Sequence, residues 1–179
     1  MVHVNIEFKA KCPDQTTIRD ILKTKQAKFK GKDHQIDTYF NVPSGRLKIR
    51  EGTIETALIY YERLNQKGPK HSDILLYNPN SSQIQSLKDI LKKTLGILVI
   101  VDKIREIFFI ENVKFHIDSV KRLGSFLEVE AIDIDGSIGI QKLQQQCDYY
   151  LKIFEVSQED LVAESYSDLI IRLKREDKD

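Results

Sequence analysis

Val4, Ile6 and Phe8 alternate with Asn5, Glu7, Lys9 and Lys11 at the start of the chain. Side chains of a strand repeat every two residues, so this pattern predicts a β-strand over 2–11 with one apolar and one charged face. Similar runs predict strands over 36–40, 45–51, 57–64, 72–78, 97–110, 112–120 and 125–134. The charged comb returns in them as Arg46, Lys48 and Arg50, then Lys103 and Arg105, His116 and Asp118, and Glu128 and Glu130. Asn41-Val42-Pro43-Ser44-Gly45, Glu111-Asn112 and Leu123-Gly124 read as turns, and connections this short imply antiparallel neighbours.

Helical spacing governs four other stretches. Ile18, Ile21, Leu22 and Phe29 form one stripe behind Asp14 as cap. Ile84, Leu87, Ile90, Leu91 and Leu95 form a second, started by Ser81 or Ser82 and stopped by Gly96. A third runs through Ile140, Leu143, Cys147, Tyr150, Leu151 and Phe154, and a short last pair of turns carries Leu161, Val162, Leu169 and Ile170.

The expected class is α+β, and two arrangements accommodate it. In an open sheet the combs face solvent and the helices cover the apolar side, the commoner case for antiparallel sheets. In a closed barrel the combs face inward; about eight strands suffice to close around side chains or one ligand. Segregation of charge favours the barrel, because 45–51 and 97–110 carry cations whereas 125–134 carries carboxylates. Buried charge costs several kcal/mol per ion unless paired or solvated, so an inward surplus of cations calls for an anionic guest.

At 179 residues the chain is expected to be one domain, 1–179, with a sizeable core. No apolar run reaches the length of a membrane span and the N-terminus lacks a secretory apolar block, so a cytoplasmic protein is expected, without a membrane partner. A net charge of +1 gives no global electrostatic reason to expect nucleic acid. The only two cysteines, Cys12 and Cys147, read as small core residues, not as a disulfide or metal ligands. Oligomeric state is not legible.

Asn5-Ile6-Glu7-Phe8-Lys9 resembles the N-terminal signature of the CYTH superfamily, the triphosphate tunnel metalloenzymes. Asp37-Thr38-Tyr39-Phe40 with Gly45-Arg46-Leu47-Lys48-Ile49-Arg50, then Val101-Asp102-Lys103-Ile104-Arg105, are similar to its later strands. So are His116-Ile117-Asp118-Ser119-Val120 and Leu123 to Glu130, and Ser165 to Leu169 is similar to its last helix. Leu58 to Arg63, Pro69 to Asp73 and Asn5 look closest to class IV adenylate cyclases; thiamine and inorganic triphosphatases share the fold.

The resemblance implies an eight-stranded antiparallel tunnel with amphipathic helices on its outside, Mg²⁺ or Mn²⁺ as cofactor, and a triphosphate, foremost ATP, as small-molecule partner. It assigns Glu7, Glu128, Glu130 and Asp118 to the metal, with Asp118 alternatively fixing a neighbouring cation. Carboxylate oxygens are hard ligands suited to those ions and not to zinc. Lys9, Lys103 and Arg105 are the expected catalytic cations, and Lys48, Arg50, Arg46, Arg63, Lys11 and His116 the expected substrate-binding groups.

Lys67, Lys70 and His71 form a basic loop able to close over a substrate or simply to be solvated. Tyr60, Tyr61 and Tyr77 could stack a base, though strand packing is their default. Asp133-Ile134-Asp135-Gly136 reads as a turn into a helix. Asn5 departs from the family signature, which has Glu there; an amide brings no charge and weakens the case for a second metal. The leading expectation is cyclisation of ATP to cyclic AMP and pyrophosphate. The alternatives are hydrolysis of a triphosphate and non-catalytic binding of a polyphosphate or nucleotide.

Overall fold

The computed structural model describes residues 2–80 and 82–177. Its strands are β1 (Val2–Lys11), β2 (Lys28–Phe40), β3 (Arg46–Gly52), β4 (Ala57–Glu62), β5 (Lys70–Tyr77), β6 (Ile97–Ile110), β7 (Val113–Val120) and β8 (Gly124–Asp133). Its helices are α1 (Gln15–Thr24), α2 (Ile84–Leu95), α3 (Ile140–Ile153) and α4 (Tyr166–Glu176). The strands close into one barrel in the order β1-β5-β4-β3-β2-β6-β7-β8, and every pairing is antiparallel.

Hairpins account for most neighbours. The turn at 41–45 joins β2 to β3, with Gly45 at φ 64° where a Cβ would lie 2.6 Å from the Tyr60 hydroxyl. Glu111 at φ 50° turns β6 into β7, and Gly124 at φ 94° begins β8. Closure falls to β1, which bonds β5 on one side and β8 on the other. Glu7 therefore lies opposite both Lys70 and Glu130.

Alternation then decides what lies where. Ile6, Phe8 and Ala10 of β1 face outward and are buried with Phe115 and Ile117 of β7 and Leu127 and Val129 of β8. Ile18 and Leu22 of α1 and Leu143, Cys147 and Tyr150 of α3 cover them. Phe115 meets Tyr150 edge-on at 4.7 Å between ring centroids. Asp14 caps α1 by accepting from the Thr16 and Thr17 amides, and Asp133 accepts from the Gly136, Ile138 and Gly139 amides in the turn into α3. Cys12 and Cys147 are buried free thiols.

Helix α4 does not lie on the outside with the others. Tyr166, Leu169 and Ile170 join Val99 and Val101 of β6 and Phe126 of β8. Those strand residues share the inward parity of Lys103, Arg105 and Glu128, so α4 closes one end of the barrel. A capping box fixes its start: the Asp168 amide donates to Ser165 Oγ while the Ser165 amide donates to the Asp168 carboxylate. Three boundaries also differ from the sequence reading. Phe29 belongs to β2 and not to α1. Leu161 and Val162 precede α4 in an extended segment that bridges Ala10. Gln83, without a side-chain cap bond, precedes α2, and Ser81 lies outside the described residues.

Candidate functional site

The inward combs surround a cavity of about 560 Å³. Eight Lys and Arg side chains line it against five carboxylates, an excess of three positive charges that a polyanion would balance. Most of these groups fall into two clusters.

The first is centred on Asp37 of β2, which is 1% exposed. Its oxygens accept from Lys48 Nζ at 2.9 Å, Lys103 Nζ at 2.7 Å, and Arg50 Nε and Nη2 at 2.8 and 2.9 Å. Register places Asp37 opposite Arg50 on β3 and Val101 on β6, so all three strands present their cations to one carboxylate. Burial alone would raise the Asp37 pKa, but Arg50, Lys103 and Lys48 hold it well below the usual carboxylate range. Lys103 is pushed down to about 7 by burial, with Arg50, Arg105 and Lys48 reinforcing the shift against Asp37. One carboxylate thus serves three cations, which retain donor capacity toward the cavity.

The second cluster lies across β1, β7 and β8. Ligand atoms of His116, Glu128 and Glu130 all fall within 4.8 Å of one another. His116 Nδ1 is 3.6 Å from Glu128 and 3.5 Å from Glu130, and neither ring nitrogen has a hydrogen-bond partner among the described residues. Burial, with Arg105, lowers the His116 pKa and favours the neutral imidazole. A neutral, unpartnered nitrogen beside two carboxylates fits a divalent cation such as Mn²⁺, and the oxygens also suit Mg²⁺. Lys9 Nζ reaches Glu128 at 3.1 Å and sits 4.0 Å above the Tyr166 ring. Glu128 is held well below its ordinary pKa: burial opposes ionisation, but Lys9 and Arg105 outweigh it. Glu7 is ion-paired with Arg63, whose side chain is 5% exposed.

Asp118 sits behind this group. Both its oxygens are engaged by Arg105, at 2.7 and 2.5 Å, and the Tyr166 hydroxyl donates to it at 2.8 Å. Those partners occupy both oxygens and hold the Arg105 guanidinium in place. Arg105 in turn donates to Glu128, so α4, β6, β7 and β8 meet in one network.

At the open mouth, the β3–β4 loop brings in a carboxylate to which no role was assigned from the sequence. Asp33 is fully buried and accepts from Gln35 Nε2, Thr53 Oγ1 and the Ile54 and Glu55 amides. This bends the loop so that Glu55 pairs with Lys114 at 2.8 Å, Lys30 at 3.4 Å and Arg50 at 3.5 Å. Gly52 is required here, since a Cβ would lie 2.6 Å from the Glu55 carbonyl oxygen. Burial resists ionisation of Glu55, yet the Lys114 and Arg50 cations hold its pKa far below the ordinary value. Lys114 shares the parity of His116 and Asp118 on β7, a signal that could have found it.

The remaining expected site residues are placed less centrally. Lys11 is exposed at the end of β1, outside the cavity lining. Arg46 faces a second recess at the α4 end and donates to Asp168 at 2.7 Å. Lys67 and His71 are exposed, whereas Lys70 is buried and donates to the Gln66, Val162 and Ala163 carbonyls. Burial, with Arg63 and Lys9, pushes Lys70 down to about 7. Tyr61 lines the cavity, while Tyr60 and Tyr77 do not.

A closed antiparallel barrel with a cationic interior beside an acidic cluster defines a polyanion-binding tunnel protein. The chain belongs to the CYTH family, whose domain model matches residues 3–166. Enzymes of this family act on triphosphates and are metal-dependent. A Methanocaldococcus jannaschii protein named "Putative adenylate cyclase MJ0240" is 29% identical over 182 residues, covering 93% of this chain and 98% of that one. The structure of the PH1012 protein from Pyrococcus horikoshii OT3 matches with a TM-score of 0.80 at 24% identity, over 92% of this chain and 98% of its own. A Hippeastrum protein named "Putative adenylyl cyclase HpAC1" and described as revealing a dominant triphosphatase activity shares the fold, with a TM-score of 0.62 at 12% identity, over 94% of each chain.

Proposed function

We propose that this chain is a divalent-metal-dependent enzyme acting on a triphosphate inside the barrel, with ATP converted to cyclic AMP and pyrophosphate. The observation that carries this reading is the cation excess of the cavity beside the His116, Glu128 and Glu130 group. Such a layout suits a polyphosphate along the cations with a metal at one point of it.

Glu128, Glu130 and His116 would hold the ion, with Glu7 opposite Glu130 on the adjoining strand. When bound, the ion supplies Lewis-acid polarisation of a phosphate oxygen. Lys48, Arg50, Lys103 and Arg105 bind the phosphate chain and neutralise charge that grows on the departing pyrophosphate. Lys9, anchored between Glu128 and Tyr166, lies beside the metal group and contacts the reacting phosphate. Asp118 orients Arg105, Arg63 holds Glu7, and Arg46 and Lys11 take outer positions.

The name of the Methanocaldococcus jannaschii relative supports the cyclase reading. The activity described for the Hippeastrum protein supports a second one, in which water attacks a phosphate in place of the ribose 3′-hydroxyl. Incubation with ATP and Mn²⁺, resolving cyclic AMP from ADP and AMP, separates them. Cyclic AMP with stoichiometric pyrophosphate is expected; rapid phosphate release without cyclic AMP would make the protein a triphosphatase.

A further inference from the structure

Along β1 the cavity wall changes character within one inward step, about 7 Å. At Glu7 the wall reads Lys70, Glu7, Glu130 across β5, β1 and β8; at Asn5 it reads Ser72, Asn5, Ile132. Beyond that row the wall continues as Ile74 and Leu76, which also line the cavity. Along β1 and β5 charge is thus confined to the deeper part and the mouth is neutral and apolar, whereas Lys30, Glu55 and Lys114 carry charge elsewhere around the mouth.

Two polar atoms in the neutral row have no partner among the described residues: Asn5 Oδ1 and Ser72 Oγ. Their residues are 3% and 1% exposed, line the cavity, and lie directly opposite each other on neighbouring strands. They do not bond one another. Buried polar atoms are rarely left orphaned, because desolvation without a hydrogen bond is costly. An orphaned pair aimed into a ligand-sized cavity is what a recognition site for a donor-bearing neutral group requires.

We propose that Asn5 and Ser72 form a specificity-determining pair that binds the uncharged part of a nucleoside triphosphate. A hydroxyl or amino group of the nucleoside donates to Asn5 Oδ1 and exchanges a hydrogen bond with Ser72 Oγ, while its apolar surface rests on Ile74, Leu76 and Ile132. This rests on the triphosphate reading above and goes further in fixing the substrate's orientation, phosphates inward and nucleoside at the mouth. It also gives a reason for an amide at position 5: a carboxylate there would draw a cation into the nucleoside's place. Inorganic tripolyphosphate has no group for this row.

Calorimetric titration of the full chain with ATP and with inorganic tripolyphosphate, both without divalent metal, tests the pair. For Asn5→Leu and Ser72→Ala, ATP affinity is expected to fall about five- to tenfold, with tripolyphosphate affinity within twofold of the parent. Asn5→Leu removes an orphaned buried oxygen at nearly constant volume, so its Tm is expected to rise by about 2–4 °C. A merely structural role would lower it. Equal losses for both ligands in either variant, or unchanged ATP affinity in both, overturns the pair's role. Ser72→Ala keeps the test open should Asn5→Leu fail to fold. A parent protein that binds neither ligand overturns the triphosphate reading together with the pair; one that binds tripolyphosphate tightly while the variants leave ATP unaffected overturns the pair alone.

Discussion

Asp37 shows how much a single residue organises here. Lys48, Arg50 and Lys103 converge on its two oxygens, and all four side chains are nearly removed from solvent. Removing one partner from a buried ion cluster leaves uncompensated charge, which typically costs about 3–5 kcal/mol. Asp37→Asn keeps the shape and removes the charge, so urea unfolding should show a loss of about that size. Adding tripolyphosphate should recover part of it, because an anionic guest restores the missing countercharge. A variant as stable as the parent would mean that the cations are already compensated elsewhere. Glu55 makes the complementary case: it occupies Lys114, Lys30 and Arg50 at the mouth. Glu55→Gln frees those cations and should tighten tripolyphosphate binding several-fold in low salt, an effect that fades as salt rises. Neither residue was legible as part of a site. Asp37 stood in a recognised stretch but gained meaning only from registers that set it among cations distant in sequence, and Glu55 sits in a loop where no period of two exists to assign a face.

At the scale of elements, legibility followed the apolar face. The strand predicted over 97–110 coincides with β6, and that over 2–11 with β1, since each alternates cleanly. Residues 28–35 were missed because β2 there is polar on both sides. Asp33 and Gln35 are fully buried, Phe29 is 54% exposed, and a register shift between Phe29 and Gly31 breaks the alternation. Only the barrel interior makes such a segment a strand. The last helix was found but misplaced, because its stripe of Tyr166, Leu169 and Ile170 could equally cover an outer face. The Asp33 carboxylate ties the loop to β2 by accepting from both the Ile54 and Glu55 amides. Asp33→Ala should leave those donors unsatisfied and cost about 2–3 kcal/mol in unfolding free energy. Proteolysis or hydrogen exchange should show the loss of protection concentrated at 52–57, where a uniform loss across the barrel would refute a local role.

Over the whole molecule, a net charge of +1 conceals an interior that is strongly cationic, and this separation has a consequence for protons. Lys70 and Lys103 are both pushed from 10.5 down to about 7, burial being the main cause in each. Between those values the unfolded chain binds more protons than the native one, so these two lysines make stability rise with pH across that window. The depressed carboxylates act at the other end. Asp37 and Glu128 ionise in the native state well below their unfolded values, so the stability they add is present above about pH 4–5 and is lost as the solution is acidified through their native pKa. A polyanion in the cavity reverses the balance for the lysines, since its charge favours the ammonium form. Binding at pH 8 should therefore take up protons, and affinity should weaken as pH rises above about 7. Titrating tripolyphosphate into the protein in two buffers of different ionisation enthalpy measures that uptake directly. A value between about one and two protons per site is expected at pH 8, falling toward zero at pH 6, where both lysines are already charged. Lys103→Met should remove roughly one of them, whereas no dependence on the buffer at pH 8 would show that the cavity holds its lysines as ammonium ions before any ligand arrives.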